Sequence, residues 1–159
     1  MLIYGKAEYY KLTKDLDIPY IPLNTSEPNK ELYEKFKNQI PLLSEFYHSE
    51  YDCDRHLVRD IVAYIDTDPY YQTDEAYEKI NECLHYIKDS SEKMKVRWSK
   101  YLLQIAIDVQ IAWSAGTLVG AGRGSGVGFC LLNILGITQI NPLREKTKTY
   151  PWRSTLKAS

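Results

Sequence analysis

Cysteine and histidine are scarce in this sequence of 159 residues, with three of each. None of them shows the C-x-x-C or paired-histidine spacing of a zinc site, and three widely separated cysteines do not make a disulfide framework. We therefore predict reduced cysteines that pack as small side chains, and histidines that are ordinary surface or half-buried residues. The residues concerned are Cys53, Cys83, Cys130, His48, His56 and His85.

The sequence also lacks a long apolar run and an excess of charge of either sign. The stretch from Met1 to Lys6 has no apolar core of a secretory leader, and Arg123 interrupts the longest apolar run. We expect a cytoplasmic protein with no membrane partner. The formal net charge of -1 gives no overall nucleic-acid signature, although residues 93–100 and 144–157 are locally basic. From charge alone, solvated faces explain these stretches better than a polyanion site does.

Glycine is sparse as well, but five of the eight glycines lie in the decapeptide Val119–Gly128. Backbone N–H groups of a glycine-rich turn before a helix can point at one anion. The apolar residues 129–135 predict a short buried helix, with Ser125 as its N-cap. The decapeptide matches neither the G-x-G-x-x-G nor the P-loop pattern. Pattern alone leaves two interpretations open, a phosphate-binding loop and a purely structural turn.

Capping residues and apolar spacing predict a largely helical chain. Asn29, Asp52 and Thr73 are plausible helix caps, and Pro41 interrupts the first helical stretch. The Asp and Glu at residues 89 and 92 resemble a capping box, which predicts the start of a longer helix that Gly116 ends. The apolar positions expected along that helix are Met94, Trp98, Leu102, Ile105, Val109 and Ala112.

The expected fold class is α+β, mainly α, because only Thr117–Val119 suggests a strand. Residues 1–50 are expected to form an extended and short-helical linker region, and residues 51–159 a helical segment that leads into the glycine loop. Asp66 and Asp68 form a D-x-D pattern, but Pro69 follows them, so we interpret both as turn residues. A length of 159 residues indicates one modest domain or a part of a larger protein.

Two blocks of the sequence resemble one known family. Residues 119–128 read VGAGRGSGVG, and residues 135–143 read LGITQINPL. They are similar to the palm segment of the C-family bacterial replicative DNA polymerases, the DNA polymerase III alpha subunits, which has V-G-P-G-R-G-S-x-x-G followed by L-G-I-T-x-I-x-P-L. Ala121 replaces a usual proline, and Gln139 and Asn141 replace common aspartates. The resemblance is specific from about Tyr101 to Arg153.

The resemblance implies a partial polymerase-beta-like nucleotidyltransferase palm. In that fold a Gly-Ser pair holds the triphosphate of the incoming nucleotide, and by position the pair here is Gly124 and Ser125. The neighbouring Arg123 would add a charge-assisted contact, and Arg153 is a possible DNA or phosphate contact. The implied partners are a dNTP, primer–template DNA and the remainder of the polymerase.

The resemblance also implies what these residues do not supply. The complete family enzymes use Mg²⁺, held by a D-x-D pair on a strand that follows the motif F-L-N-P-E-R, and this region would lie after Arg153. Residues 154–159 read STLKAS, which departs from that motif. We therefore expect no catalytic residue and no metal ligand within this chain, and no polymerase activity from it alone.

A second hypothesis belongs to a different class. The chain would be a non-enzymatic helical module that binds another protein through its tyrosine-rich helices, and the glycine loop would then be structural. A response of the loop to dNTP separates this hypothesis from the polymerase hypothesis.

Overall fold

The computed structural model describes residues 28–120, 122 and 128–146. Within these residues the chain forms six α-helices and one 3₁₀ turn. In chain order they are α1 (Lys30–Phe36), α2 (Leu42–Tyr47), α3 (Asp52–Thr67), the 3₁₀ turn (Pro69–Tyr71), α4 (Asp74–Met94), α5 (Trp98–Ser114) and α6 (Cys130–Ile134).

The first two helices begin where the sequence predicted. The Asn29 side chain caps α1 by accepting the backbone N–H groups of Glu31 and Leu32, at 3.1 and 3.2 Å. Pro41 precedes α2, because proline fits a helix start but lacks the N–H that a helix interior requires. Both helices lie within the predicted linker region of residues 1–50, yet they pack on the same core as the rest of the described chain.

The next two helices carry most of the core. In α3, Tyr51 occupies the N-cap position, so Asp52 is the first helical residue rather than the predicted cap. The predicted turn after Thr67 is confirmed, because the Asp68 side chain accepts the N–H of Tyr70 at 3.0 Å and begins the 3₁₀ turn. In α4, Thr73 caps the helix as predicted and accepts the N–H of Ala76 at 3.1 Å.

The predicted helix start at residues 89–92 is wrong. Both residues lie inside α4, which continues to Met94 and ends where Lys95 adopts a left-handed conformation with φ of 56°. The Lys95 and Val96 N–H groups then bond to the Ser91 carbonyl. A left-handed lysine is a costly helix ending that glycine usually provides, so no sequence signal marked it.

The core lies between α3 and the helices around it. Helix α3 contacts α1, α2, α5 and α6, and α4 contacts α2, α5 and α6. The wide buried arc of α3 includes His56, which is therefore buried rather than exposed or half-buried as predicted. His48 and His85 are exposed. The apolar residues at helical spacing along α4 are all buried: Ala76, Tyr77, Ile80, Cys83, Leu84 and Ile87.

The fold of the described residues is mainly α, and the predicted strand at Thr117–Val119 is wrong. These residues are irregular, and Leu118 is 92% exposed. A strand needs a hydrogen-bonded neighbour, and the part of the chain that the structure describes contains no strand to pair with it. The partial palm stays a prediction. Among the described residues, no helix has the length and apolar character needed to cross a membrane.

Candidate nucleotide-binding loop

The glycine loop leaves the bundle at the end of α5. Gly116 adopts φ of 75°, a left-handed conformation that glycine tolerates best. Its N–H bonds to the Trp113 carbonyl, and the Thr117 N–H bonds to the Ala112 carbonyl, both at 3.0 Å. These bonds occupy carbonyl groups that a helix end leaves free. The prediction that Gly116 ends the helix is confirmed. The left-handed conformation of Gly116 turns the chain out of α5 into the loop.

The first part of the loop stands away from the core. Leu118 and Gly120 are exposed, and a methyl group placed on Gly120 would meet no atom within 4 Å. Gly122 adopts φ of 110°, which L side chains rarely take up. The predicted site residues Arg123, Gly124, Ser125 and Arg153 lie outside the described residues, so their roles stay predictions.

The helix after the loop begins later than predicted. Helix α6 starts at Cys130 with Phe129 at the N-cap position, so Ser125 is not the cap of this helix. The Phe129 ring packs against the core. The N-cap position of α6 is therefore occupied by an apolar residue and not by a serine. Because α6 has only five residues, its dipole contributes little, and an anion would have to be held by the N–H groups of the loop itself.

A buried hydrogen bond fixes α6 to the bundle. The Tyr71 hydroxyl donates to Asn133 Oδ1 at 2.9 Å, and Asn133 Nδ2 donates to the Thr138 carbonyl at 3.2 Å. Burial raises the pKa of Tyr71 well above its ordinary value, so the hydroxyl keeps its proton and remains a donor. One amide side chain therefore connects the 3₁₀ turn, α6 and the segment after α6. No motif in the sequence marks Asn133 for this role.

The second resembling block, residues 135–143, forms a compact capped turn. The Ile137 and Thr138 N–H groups both bond to the Leu132 carbonyl, at 2.8 and 3.1 Å. Asn141 Oδ1 accepts the N–H groups of Leu143 and Arg144, at 2.9 and 3.3 Å. An amide side chain that binds the backbone two and three residues ahead stabilises a turn, so Asn141 performs a structural task in place of the family's common aspartate.

Two buried cysteines join α4 to α6. The Sγ atoms of Cys83 and Cys130 lie 3.4 Å apart, and both residues are fully buried. Burial raises the pKa of the Cys130 thiol well above its ordinary value, and the contact with Cys83 acts in the same direction. Cys83 and Cys130 pack as small side chains in the core, as predicted, whereas Cys53 is half-buried.

A buried carboxylate fixes the start of α5 to α3. Asp54, at the start of α3, is 2% exposed and accepts hydrogen bonds from Ser49 Oγ at 2.5 Å, from Ser99 Oγ, and from Arg97 Nη1 at 3.1 Å. The Arg97 guanidinium also lies 3.9 Å from the Tyr51 ring centroid, a cation–π arrangement. The network joins the first turns of α3 and α5. No sequence pattern marks it, because Arg97 and Ser99 lie 43 and 45 positions after Asp54.

The charged stretches have partners within the bundle. In the basic stretch of residues 93–100, Lys93 pairs with Asp89 at 2.8 Å and Arg97 pairs with Asp54. Asp68 caps the 3₁₀ turn, so the turn interpretation is confirmed for this residue. It is wrong for Asp66, which lies in the last turn of α3 and pairs with Lys35 at 3.5 Å. No group of three or more potential metal ligands occurs in the described ranges.

Comparison with known proteins identifies the family. The sequence profile described as the bacterial DNA polymerase III alpha NTPase domain matches residues 52–150, which is more than half of the chain. The chain belongs to the bacterial DNA polymerase III alpha family. The match extends from the first turn of α3 through the glycine loop and beyond the capped turn.

Two polymerases are similar to this family member over most of its length. The probable DNA polymerase YorL of Bacillus subtilis (strain 168) and the DNA-directed DNA polymerase of Bacillus phage SPbeta are each 29% identical to it over 157 residues. The alignment covers 91% of this chain but 12% of each relative, so the chain spans about an eighth of their length. No solved structure shows a significant match.

Proposed function

We propose that this chain contributes the loop that binds the triphosphate of the incoming dNTP in a DNA-directed DNA polymerase. The family match, which includes the whole glycine loop, carries this proposal. Gly124 and Ser125 would grip the phosphates through backbone N–H groups and a hydroxyl donor, and Arg123 would add a charge-assisted hydrogen bond. Arg153 would contact DNA or phosphate.

The arrangement on either side of the loop supports this role. The upstream end is held by Gly116 at the terminus of α5, whose first turn the Asp54 network ties to α3. The downstream end is held by Asn133 and the capped turn. A loop with two fixed ends and exposed glycines can present N–H groups to a ligand without first ordering the surrounding structure, which lowers the entropic cost of binding.

The complete polymerase would supply the chemistry around this loop. Mg²⁺ would neutralise charge on the phosphates and activate the attacking hydroxyl, and the family pattern assigns its ligands to residues other than those described. We therefore expect that the isolated chain binds dNTP weakly and does not extend a primer. The dNTP, the primer–template DNA and the rest of the polymerase are the partners that we propose.

A titration of dATP and Mg²⁺, followed by the amide NMR signals of residues 119–128, tests the proposal. We expect shifts confined to the loop, a weaker response in Ser125→Ala and Arg123→Gln, and an unchanged response in the matched variants Ser114→Ala and Arg144→Gln. In the intact polymerase, Ser125→Ala should slow primer extension. If the amide signals of the loop do not shift with dNTP, and the intact enzyme tolerates changes at both Gly124 and Ser125, the assignment of this pair to phosphate binding is wrong.

One observation favours the second candidate function, a protein-binding module. Tyr101, Ile105 and Trp113 are exposed apolar residues on α5, and such residues favour contact with another protein surface. That function predicts no amide shifts in the dNTP titration, and it predicts association that is lost when Ile105 is replaced by lysine.

A further inference from the structure

A groove between α1 and α2 is lined by residues outside the family match. Its cavity volume is about 610 Å³, within the range of about 300–1,000 Å³ that small-molecule sites occupy. Its walls combine tyrosine rings, lysines and hydroxyl or amide groups, so the groove is polar and aromatic rather than apolar. The side chains that matter here are Lys30, Tyr33, Glu34, Lys37, Ser44 and Tyr47.

The groove contains a fixed aromatic surface. The rings of Tyr33 and Tyr47 stack with centroids 4.3 Å apart and an interplanar angle of 22°. Tyr33 is 4% exposed, and its hydroxyl donates to Ser44 Oγ at 3.3 Å. Tyr47 is half-buried and stacks on this immobilised ring, and the His48 ring meets it edge-on with centroids 4.9 Å apart. Both Tyr47 and His48 line the groove. Bases of any sequence can stack on such a ring.

The groove also carries positive charge that the neighbouring acids do not cancel. Glu34 forms an ion pair with Lys37, and Glu45, on the same helix as Tyr47, forms one with Lys88. Lys30 is exposed and has no ion-pair partner among the residues that the structure describes. Two lysines against one glutamate leave the lining positive at neutral pH, and a lysine ammonium is a suitable ligand for phosphate.

We propose that this groove binds one nucleotide unit, with its base on Tyr47 and its phosphate at Lys30. Single-stranded DNA and a free nucleotide share this chemistry, and both combine a planar ring with an anion. A metal ion does not fit, because no cluster of three ligands occurs in the described ranges. An apolar helix does not fit either, because lysine, glutamate and asparagine side chains line the walls. The groove would be a second nucleic-acid contact, independent of the loop proposed for the triphosphate.

Fluorescence anisotropy of a labelled ten-nucleotide dT strand with the full chain at low salt tests this site. Tyr47→Leu, which keeps apolar volume and removes the aromatic ring, should weaken binding on the order of tenfold. Lys30→Gln should weaken binding and reduce the slope of log affinity against log salt by about one. Tyr47→Phe should bind as the parent does. The matched controls Tyr70→Leu and Lys100→Gln change exposed residues elsewhere and should leave binding unchanged.

Competition experiments distinguish a free-nucleotide site from a site for single-stranded DNA. Displacement of the strand by dTMP would identify a free-nucleotide site, and binding of the strand without such displacement would identify a strand site. Either result, combined with the loss in Tyr47→Leu, supports the proposal. Equal displacement by a polyglutamate peptide, equal binding by Tyr47→Leu and Lys30→Gln, or no binding of either probe would overturn it. This readout does not involve the loop amides, so either proposal can fail alone.

Discussion

Helices α4 and α5 lie side by side, but they use their surfaces differently. Helix α4 is amphipathic, with a continuous buried face and polar residues such as Glu75, Glu78 and Glu82 on the other side. Helix α5 buries Leu103 and Ile107, yet its opposite face is also apolar, with Tyr101 53% and Ile105 42% exposed. A helix that is apolar on both faces normally has neighbours on both.

The difference shows that the described residues cover the inner face of α5 and leave apolar side chains exposed on its outward face. The bundle around α3 has a packed core, whereas Tyr101 and Ile105 on the outward face of α5 are only partly covered and the adjoining Leu118 is 92% exposed. The glycine loop begins on this uncovered side. Substitutions on the two sides should therefore differ in their effect on the free energy of unfolding.

The largest effect is expected at Asp54, which fixes the start of α5 to α3. Asp54→Ala removes the shared acceptor and leaves the buried Ser99 hydroxyl and the Arg97 guanidinium without it. Loss of one partner of a buried ion pair costs about 3–5 kcal/mol, which urea unfolding followed by circular dichroism would measure. Asp52→Ala, at an exposed position of the same turn, should cost less than about 1 kcal/mol. Equal costs would remove Asp54 from the link between the two helices.

A pH-dependent change in stability is expected from the carboxyl group of Asp60 in α3. Burial raises the pKa of Asp60 from its ordinary value of 3.8 to about 6, although Arg59 acts in the opposite direction. The folded state therefore holds a proton that the unfolded state has lost, and stability falls as pH rises from about 4 to 6. One pKa unit corresponds to about 1.4 kcal/mol, so the loss is on the order of 3 kcal/mol.

The matched variant for this effect is Asp60→Asn, which cannot ionise. It should lose less stability than the parent between pH 4 and pH 6.5, as measured by unfolding at several pH values. Asp66→Asn changes an exposed carboxylate on the same helix and should keep the parent's pH dependence. A parallel fall in the parent and in Asp60→Asn would show that another group titrates.

A smaller effect is expected where α6 meets the bundle. Asn133→Ala removes the acceptor for the buried Tyr71 hydroxyl and the donor to the Thr138 carbonyl. An unsatisfied buried polar group costs about 1–3 kcal/mol. In Tyr71→Phe the hydroxyl is absent, so adding Asn133→Ala to that variant should cost less than adding it to the parent. Additive costs in this double-mutant cycle would mean that the two side chains do not interact.

Local signals in the sequence predicted much of the bundle. Asn29, Thr73 and Pro41 mark helix starts because caps and proline act on their nearest neighbours in the chain. The buried face of α4 follows from spacing because its outward face is polar. Each of these signals depends on residues within one or two helical turns, so it can be recognised without knowing the tertiary structure.

The errors occurred where distant residues decide the structure. The apolar residues on both faces of α5 allowed a wrong face to be chosen, and Ile105 was predicted as a core position although it is exposed. The left-handed Lys95 and the Asp54 network depend on packing between helices, which spacing does not encode. For the candidate site, Val119–Gly128 was found because glycine clusters are visible in sequence, whereas Asn133 is ordinary in sequence and becomes significant only through Tyr71.

The smallest change in stability is expected on the outward face of α5. Ile105→Lys replaces an exposed apolar residue, so the free energy of unfolding should change by less than about 0.5 kcal/mol. The same substitution should reduce self-association and the binding of a hydrophobic dye, because it places a charge in the apolar surface. Sedimentation over a range of concentrations measures the first effect, and dye fluorescence measures the second.

The control for this last prediction is on the neighbouring helix. Glu78→Lys adds the same side chain to the polar face of α4 and should leave self-association unchanged, while Leu84→Ala in the core should cost about 2–5 kcal/mol. If Ile105→Lys destabilises the protein as much as Leu84→Ala does, then residues of the chain already cover this face of α5. The two helices would then be equally enclosed, and the outward face could not be a surface for a further part of the polymerase.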